Sequence, residues 1–221
     1  EMGVSAVYSG NRGELVEGPI NWAAPANVNR ASGTFVAKNG TVAGSHTGNA
    51  GVTNRDGWLY YDDGVNVDAI GLTAGGSFYW GVMFPGGSYT GNQLTKVSMY
   101  DYSAHTGNIL IYQGGDTAPG TLVGTQAYTC TGSEDFAEWT LSTPVTIDPS
   151  QNLWIVMNNN DGQYVASIAD YCGDDNGEWL SMDGTEWYDL YSATSGSIDG
   201  TWMIRAYTET GATPGPTPGP T

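Results

Sequence analysis

Two kinds of side chain in this sequence are spaced to do chemistry: flat aromatic rings beside hydrogen-bonding groups, and acids gathered in turns. The chain holds 8 Trp and 14 Tyr, and many cluster, as in WLYY (Trp58 to Tyr61) and EWLSMDGTEWY (Glu178 to Tyr188). A sugar ring presents an apolar C–H face on which Trp or Tyr can stack while Asn, Gln and Asp bond its hydroxyls; the same rings anchor protein interfaces. Trp58, Tyr60, Tyr61, Trp179, Trp187 and Tyr188 are therefore the candidate ligand platform, with the Asn158 to Asp161 loop, in particular Asn159 and Asp161, as polar neighbours. For any one Trp, burial in a core is the commoner fate, but with so many rings some are expected at the surface.

The acids suggest a cation. Calcium wants about six to eight oxygens from carboxylates, Asn side chains and carbonyls, which acid-rich turns supply. Asp62, Asp63, Asn66 and Asp68 in YYDDGVNVD form one candidate site, and Asp170, Asp174, Asp175, Asn176 and Glu178 in DYCGDDNGE a second. The first is favoured, because strand segments on both sides could hold it rigid. Neither follows the spacing of an EF-hand loop, and the competing reading of each is a solvated turn in which Asp and Asn bond their own backbone. Zinc is disfavoured, since Cys130, Cys172, His46 and His105 lie too far apart to supply four close ligands.

Catalysis fits less well. A hydrolytic triad needs a histidine, and His46 and His105 sit in SHTGN and AHTGN without a nucleophile elbow nearby, so both are expected as exposed turn residues. A glycoside hydrolase needs two facing carboxylates about 5–10 Å apart. Glu138, Glu178 and Glu186 are the candidates, and all three read more simply as solvent-facing carboxylates on or beside strands. The expectation is therefore not an enzyme.

Net charge is −17, which repels nucleic acid and acidic lipid and attracts cations. No run is apolar enough to cross a membrane, and the first residues lack the pattern of a signal peptide, so any signal is expected to lie outside this stretch. Cys130 and Cys172 could form one disulfide in a secreted protein or remain two buried thiols, and the sequence leaves both open.

The elements that must position these residues are strands. Gly at 33 positions, with Thr, Ser and Asn between aromatic and β-branched residues, favours turns and sheets over helices. Short alternating runs recur along the chain: Ser77 to Phe84, Leu94 to Tyr100, Asn108 to Tyr112, Thr121 to Tyr128, Phe136 to Leu141, Leu153 to Met157, Tyr164 to Ile168, Glu178 to Met182 and Thr201 to Tyr207. Period-two alternation puts Phe78, Trp80, Val82 and Phe84 on one core face, and opposes Trp202, Ile204 and Ala206 to Met203 and Arg205. It also sends Trp58 and Tyr60 one way and Leu59 and Tyr61 the other. One or two edge strands are expected around Glu14 to Trp22 and Gly33 to Ala37, and SMDGTEW (Ser181 to Trp187) reads as a hairpin close to an Asp-box. The chain divides into N-terminal strands and loops over 1–55, a β-sandwich over 56–209 and a Pro/Gly/Thr linker over 210–221. The TPGPTPGPT run there reads as a spacer to a covalently linked neighbouring domain.

Taken together, WLYYDDG, FYWGVMFP, LTKVSMYD, HTGNILIYQGGDTAPGTLV, LWIVMN, NGEWLSMDGTEW and TWMIRAY resemble the adhesin-type, cleaved-adhesin-like modules of secreted Bacteroidetes multidomain proteins, over roughly residues 56–208. The resemblance implies a single all-β jelly-roll sandwich, often calcium-stabilised, similar to carbohydrate-binding modules and used for adhesion or ligand capture. The expected function is a non-catalytic, secreted or cell-surface module that binds a polysaccharide or other glycan. The alternative is an adhesin domain that binds a host or cell-surface protein.

Overall fold

The computed structural model of the chain describes residues 6–8, 15–17, 34–39 and 51–211. The strands gather into sheets whose order is not the order of the chain, so connections cross between layers. A six-stranded sheet runs Thr121–Thr131, Ala104–Gln113, Leu153–Asn159, Tyr79–Phe84, Trp179–Ser181, Tyr188–Asp189. A five-stranded sheet runs Asp135–Thr146, Gln93–Asp101, Ile204–Glu209, Trp58–Tyr60, Thr53–Arg55. A four-stranded sheet runs Thr201–Trp202, Ala166–Ala169, Asp68–Leu72, Phe35–Ala37, and Ala6–Tyr8 pairs with Leu15–Glu17 apart from these.

The five- and four-stranded sheets share one stretch of chain. Thr201–Trp202 pairs with Ala166–Ala169, and Ile204–Glu209 then pairs with Gln93–Asp101 and Trp58–Tyr60. Met203 is the crossing point: its N–H donates to the Ser167 carbonyl at 3.1 Å and its carbonyl accepts from Tyr100 N at 3.1 Å.

Against this layer packs the inner face of the six-stranded sheet. Trp80, Val82, Phe84, Leu153, Ile155, Met157, Ile109 and Ile111 join Leu59, Leu94, Val97, Met99, Ile204 and Ala206, and then Ile70, Leu72, Ile168 and Trp202, in one buried cluster. The period-two reading of these strands is what produces that face, and each fully buried Leu, Ile or Val contributes about 1.5–3 kcal/mol. The protein is an all-β sandwich. Its six-stranded sheet is unusual in being apolar on both sides, since Met83, Trp154, Val156 and Trp179 form a second buried cluster on its outer face.

The strands read from the sequence are present with ends shifted by a few residues, except that Thr201 to Tyr207, read as one, is divided at Met203. Four were not read, Ala6–Tyr8 among them. Thr53–Arg55 and Trp58–Tyr60 are short, and Asp68–Leu72 is buried at every position. A strand covered on both faces shows no alternation, and this one follows directly on an acid-rich turn. The Trp179–Ser181 and Tyr188–Asp189 pair closes as the expected hairpin: the Asp183 carboxylate accepts from Thr185 N at 2.9 Å and Glu186 N at 3.2 Å, and Ser181 Oγ accepts from Gly184 N at 2.9 Å. A single helical turn, Leu190–Ala193, follows, its first turn capped by Asp189 Oδ1 accepting from Ser192 N at 2.7 Å. His46 and, from residue 212 on, the expected linker lie outside the described residues.

Candidate functional site

The outer face of the five-stranded sheet carries a half-exposed aromatic floor, and strand alternation builds it. Residues that point away from the core are Trp58 and Tyr60 on Trp58–Tyr60, Arg205 and Tyr207 on Ile204–Glu209, Lys96, Ser98 and Tyr100 on Gln93–Asp101, and Phe136 and Glu138 on Asp135–Thr146. Register sets them side by side: Tyr207 opposes Trp58 and Lys96, Arg205 opposes Ser98, and Ser98 opposes Glu138. Trp58 and Tyr207 rings lie 5.2 Å apart, and Tyr100 meets Phe136 edge-on at 5.6 Å. A groove of about 330 Å³ opens over this face, lined by Arg55, Asp56, Trp58, Tyr60, Ser98, Phe136, Glu138 and Arg205.

At its centre the Arg205 guanidinium lies 3.8 Å over the Phe136 ring and 4.8 Å from Tyr60. Beneath it sits Asp62, whose side chain is buried; Arg205 Nε donates to Asp62 Oδ2 at 3.1 Å, and Arg205 Nη2 bonds Asp62 Oδ1. A two-pronged pair of this kind fixes the guanidinium plane beside the rings it packs against. Beside it, Lys96 pairs with Glu138 at 2.8 Å, and that hydrogen bond holds the ammonium above its ordinary value. The groove thus offers apolar ring faces bordered by fixed donors and acceptors.

The predicted platform is divided by the fold. Trp58 and Tyr60 line the groove. Tyr61, on the opposite side of the same strand segment, stacks on Phe84 and donates its hydroxyl to the Met83 carbonyl at 2.6 Å inside the core. Trp179 is 7% exposed and packs on Trp154. Trp187, half-buried, meets Trp154 and Tyr79 on the outer face of the six-stranded sheet, and Tyr188 lies on that sheet's edge strand. Asn159 is buried and ties a loop together, accepting from Phe78 N and donating to the Gly76 and Asp161 carbonyls; exposed Asp161 accepts from Thr106 N. Phe136, Tyr207 and Arg205 went unread as site residues. For Arg205 and Tyr207 a signal was available, since they alternate with the apolar Ile204 and Ala206 along one strand; Phe136, next to Asp135, carried none.

The acids of the first loop turn to different partners. Asp62 faces Arg205, Asp63 accepts from Val65 N at 2.9 Å, Asn66 donates to the Asp68 carbonyl at 2.8 Å, and Asp68 accepts from Ala69 N at 2.7 Å and from Asn39 N. Among the described residues no three His, Cys, Asp or Glu side chains are gathered as a metal-holding group.

Two expectations of exposure fail. His105 is 4% exposed, on a strand, with Nδ1 2.6 Å from the Ser103 carbonyl and Nε2 3.0 Å from the Tyr128 hydroxyl; burial pulls its pKa below the ordinary value. Glu178 is fully buried rather than solvent-facing, where the Asp175–Gly177 turn leads into the wholly buried Trp179–Ser181 strand. Glu138 is exposed as expected. Cys130 and Cys172 are free thiols, both pushed up by burial.

The chain matches no protein-family model and no curated protein. Among solved structures it is similar, at 13% identity and a TM-score of 0.46, to the cysteine protease and lectin-like domains of Cwp84, a surface layer associated protein of Clostridium difficile; the match covers 62% of this chain and 33% of that one. The chain therefore spans about a third of the length of that protein chain.

Proposed function

We propose that this protein is a non-catalytic carbohydrate-binding module of an extracellular or cell-surface multidomain protein, and that the glycan lies in the groove on the outer face of the five-stranded sheet. The observation that carries this reading is the row of half-exposed rings, Trp58, Tyr60, Phe136 and Tyr207, held at fixed spacing by strand register around the Arg205–Asp62 pair. Rings held rigid before binding lose little entropy on stacking, and the bordering Ser98, Glu138 and Arg55 are within the same groove to bond hydroxyls. Linked to a neighbour by the C-terminal Pro-rich run, a module of modest affinity gains from effective concentration.

The test is retention of the chain on a panel of soluble and insoluble polysaccharides. Trp58→Ala is expected to weaken binding to the retained glycan about tenfold or more, equivalent to about 1.4 kcal/mol. Trp187→Ala, on the other face of the sandwich, is expected to leave it unchanged. Equal loss in both variants, or no retention on any glycan by a folded chain, would move the reading to a protein-binding adhesin.

A further inference from the structure

Strand Thr121–Thr131 stands at the edge of the six-stranded sheet, with Ala104–Gln113 on one side and, among the described residues, no strand on the other. The neighbour's hydrogen bonds fix which of its backbone groups face outward. On Ala104–Gln113, Asn108 N–H donates to Asn158 Oδ1 at 2.9 Å and the Thr106 carbonyl accepts from Asn160 N at 2.8 Å, so the even-numbered residues there turn towards Leu153–Asn159. Gly107 and Ile109 turn the other way, to Tyr128 and Gln126, which stand opposite them. The N–H and C=O groups of Thr125, Ala127 and Thr129 therefore point out of the sheet, and among the described residues no hydrogen bond engages them.

Proteins blunt such an edge with charge, proline or a bulge. The edge of the five-stranded sheet is blunted in this way, since Asp135–Thr146 carries Pro144 and loses register between Thr140 and Val145. Thr121–Thr131 has one bulge, between Leu122 and Gly124, and beyond it runs in unbroken register to Thr131. No charged residue occurs from 117 to 133, although the chain carries 6 basic and 23 acidic residues. Thr125, Ala127, Thr129 and Thr131 are exposed while Tyr128 and Cys130 are buried, so the side chains that meet solvent along this run are small and neutral. Leu122 and Val123, 50% and 39% exposed, are two of the three exposed large hydrophobic residues among those described. A cleft of about 420 Å³ opens between this strand and the 141–146 segment, and its lining, Ile111, Val123, Leu141 and Val145 included, holds no charge.

We propose that this edge is a self-association surface: Thr121–Thr131 pairs antiparallel with the same strand of a second copy of the chain, about a two-fold axis at Ala127, in the middle of the unbroken run. In that register Ala127 faces itself across the axis and Thr125 faces Thr129 of the second copy, so outward N–H groups meet outward carbonyls. Threonine pairs across strands are favourable, and no like charges are opposed. Charge selects the occupant. Two chains of net charge −17 repel one another, so a contact between copies needs a stretch free of acids, and this edge supplies one. A basic partner, which the acid excess attracts elsewhere, finds no acid here to pair with. The two-fold arrangement consumes the edge in both copies and closes at a dimer.

The experiment is sedimentation of the full chain in about 0.5 M sodium chloride, from about 1 µM to about 1 mM, the range in which an interface as small as one strand pair associates. The weight-average mass is expected to rise from the monomer value to a plateau at twice it. Lowering the salt to about 0.02 M is expected to weaken the dimer about tenfold or more, because repulsion between the copies is then unscreened. Ala127→Pro removes an outward N–H and no bond to Ala104–Gln113, and Thr129→Glu sets an acid on each strand beside the axis; each is expected to weaken association about tenfold or more. Thr129→Glu keeps the backbone ladder and decides the matter if the proline variant does not fold. Val65→Glu adds the same charge at an exposed position away from this edge and is expected to leave the dimer as it is. A chain that stays monomeric throughout overturns the proposal, as does a mass that climbs without a plateau, or a dimer that Thr129→Glu weakens no more than Val65→Glu does.

Discussion

At the residue scale, Arg205 does the most with one side chain. It neutralises the buried Asp62 carboxylate, packs on Phe136 and Tyr60, and forms part of the groove floor. Removing it leaves a buried, unpaired charge, whereas changing Asp62 to Asn keeps an acceptor and leaves the cation partly in solvent. We expect Arg205→Ala to cost about 3–5 kcal/mol of unfolding free energy, read from urea denaturation, and Asp62→Asn to cost clearly less. Equal losses would mean that the pair is not the source of the stabilisation. Alternation in WLYY told where Trp58, Tyr60 and Tyr61 point, which is why two of the three fell in the groove and the third in the core. It could not tell that Trp179 would be covered. Whether an outward ring meets solvent depends on a neighbour such as Trp154, which is distant in sequence.

At the scale of elements, Asp101 secures the corner between the two long edge strands. Its carboxylate accepts from Thr131 N and Gly132 N, each at 2.8 Å, and from the hydroxyls of Thr131 and Ser133. Burial works to raise its pKa, but the backbone hydrogen bonds from Thr131, Gly132 and Ser133 outweigh that and hold the carboxyl below its ordinary value. A carboxyl depressed in the folded state stabilises the fold above its unfolded pKa and loses that stabilisation as pH falls through the folded one. Stability is therefore expected to drop as pH falls below about 4. Asp101→Asn should flatten the part of that fall which Asp101 supplies, measured by denaturant midpoints stepped from pH 6 to pH 3. An unchanged slope would show that the corner does not titrate with folding. The strands themselves were legible wherever one face is wet, as in Gln93–Asp101. Asp68–Leu72 was not, because the two sides of that strand are equally dry.

For the whole molecule, a net charge of −17 on 221 residues implies self-repulsion in the compact state. Screening relieves this, so the Tm in chelator is expected to rise between 0.02 and 0.5 M sodium chloride; a falling Tm would show that the ion pairs around Asp62 and Glu138 outweigh the general repulsion. The sequence alone determined that this chain is a β-protein rich in surface-capable rings, with a strong acid excess and with strands whose alternation marks a core. Those properties are local: propensity, charge and period two act within a few residues. Only the tertiary structure decided which rings share a face, that Arg205 meets Asp62, that His105 is sealed beneath Tyr128, and that Glu178 turns inward among other acids. Each of these joins parts of the chain through strand order and sheet packing, and the crossing connections that set this order leave no trace in the spacing of residues along one strand.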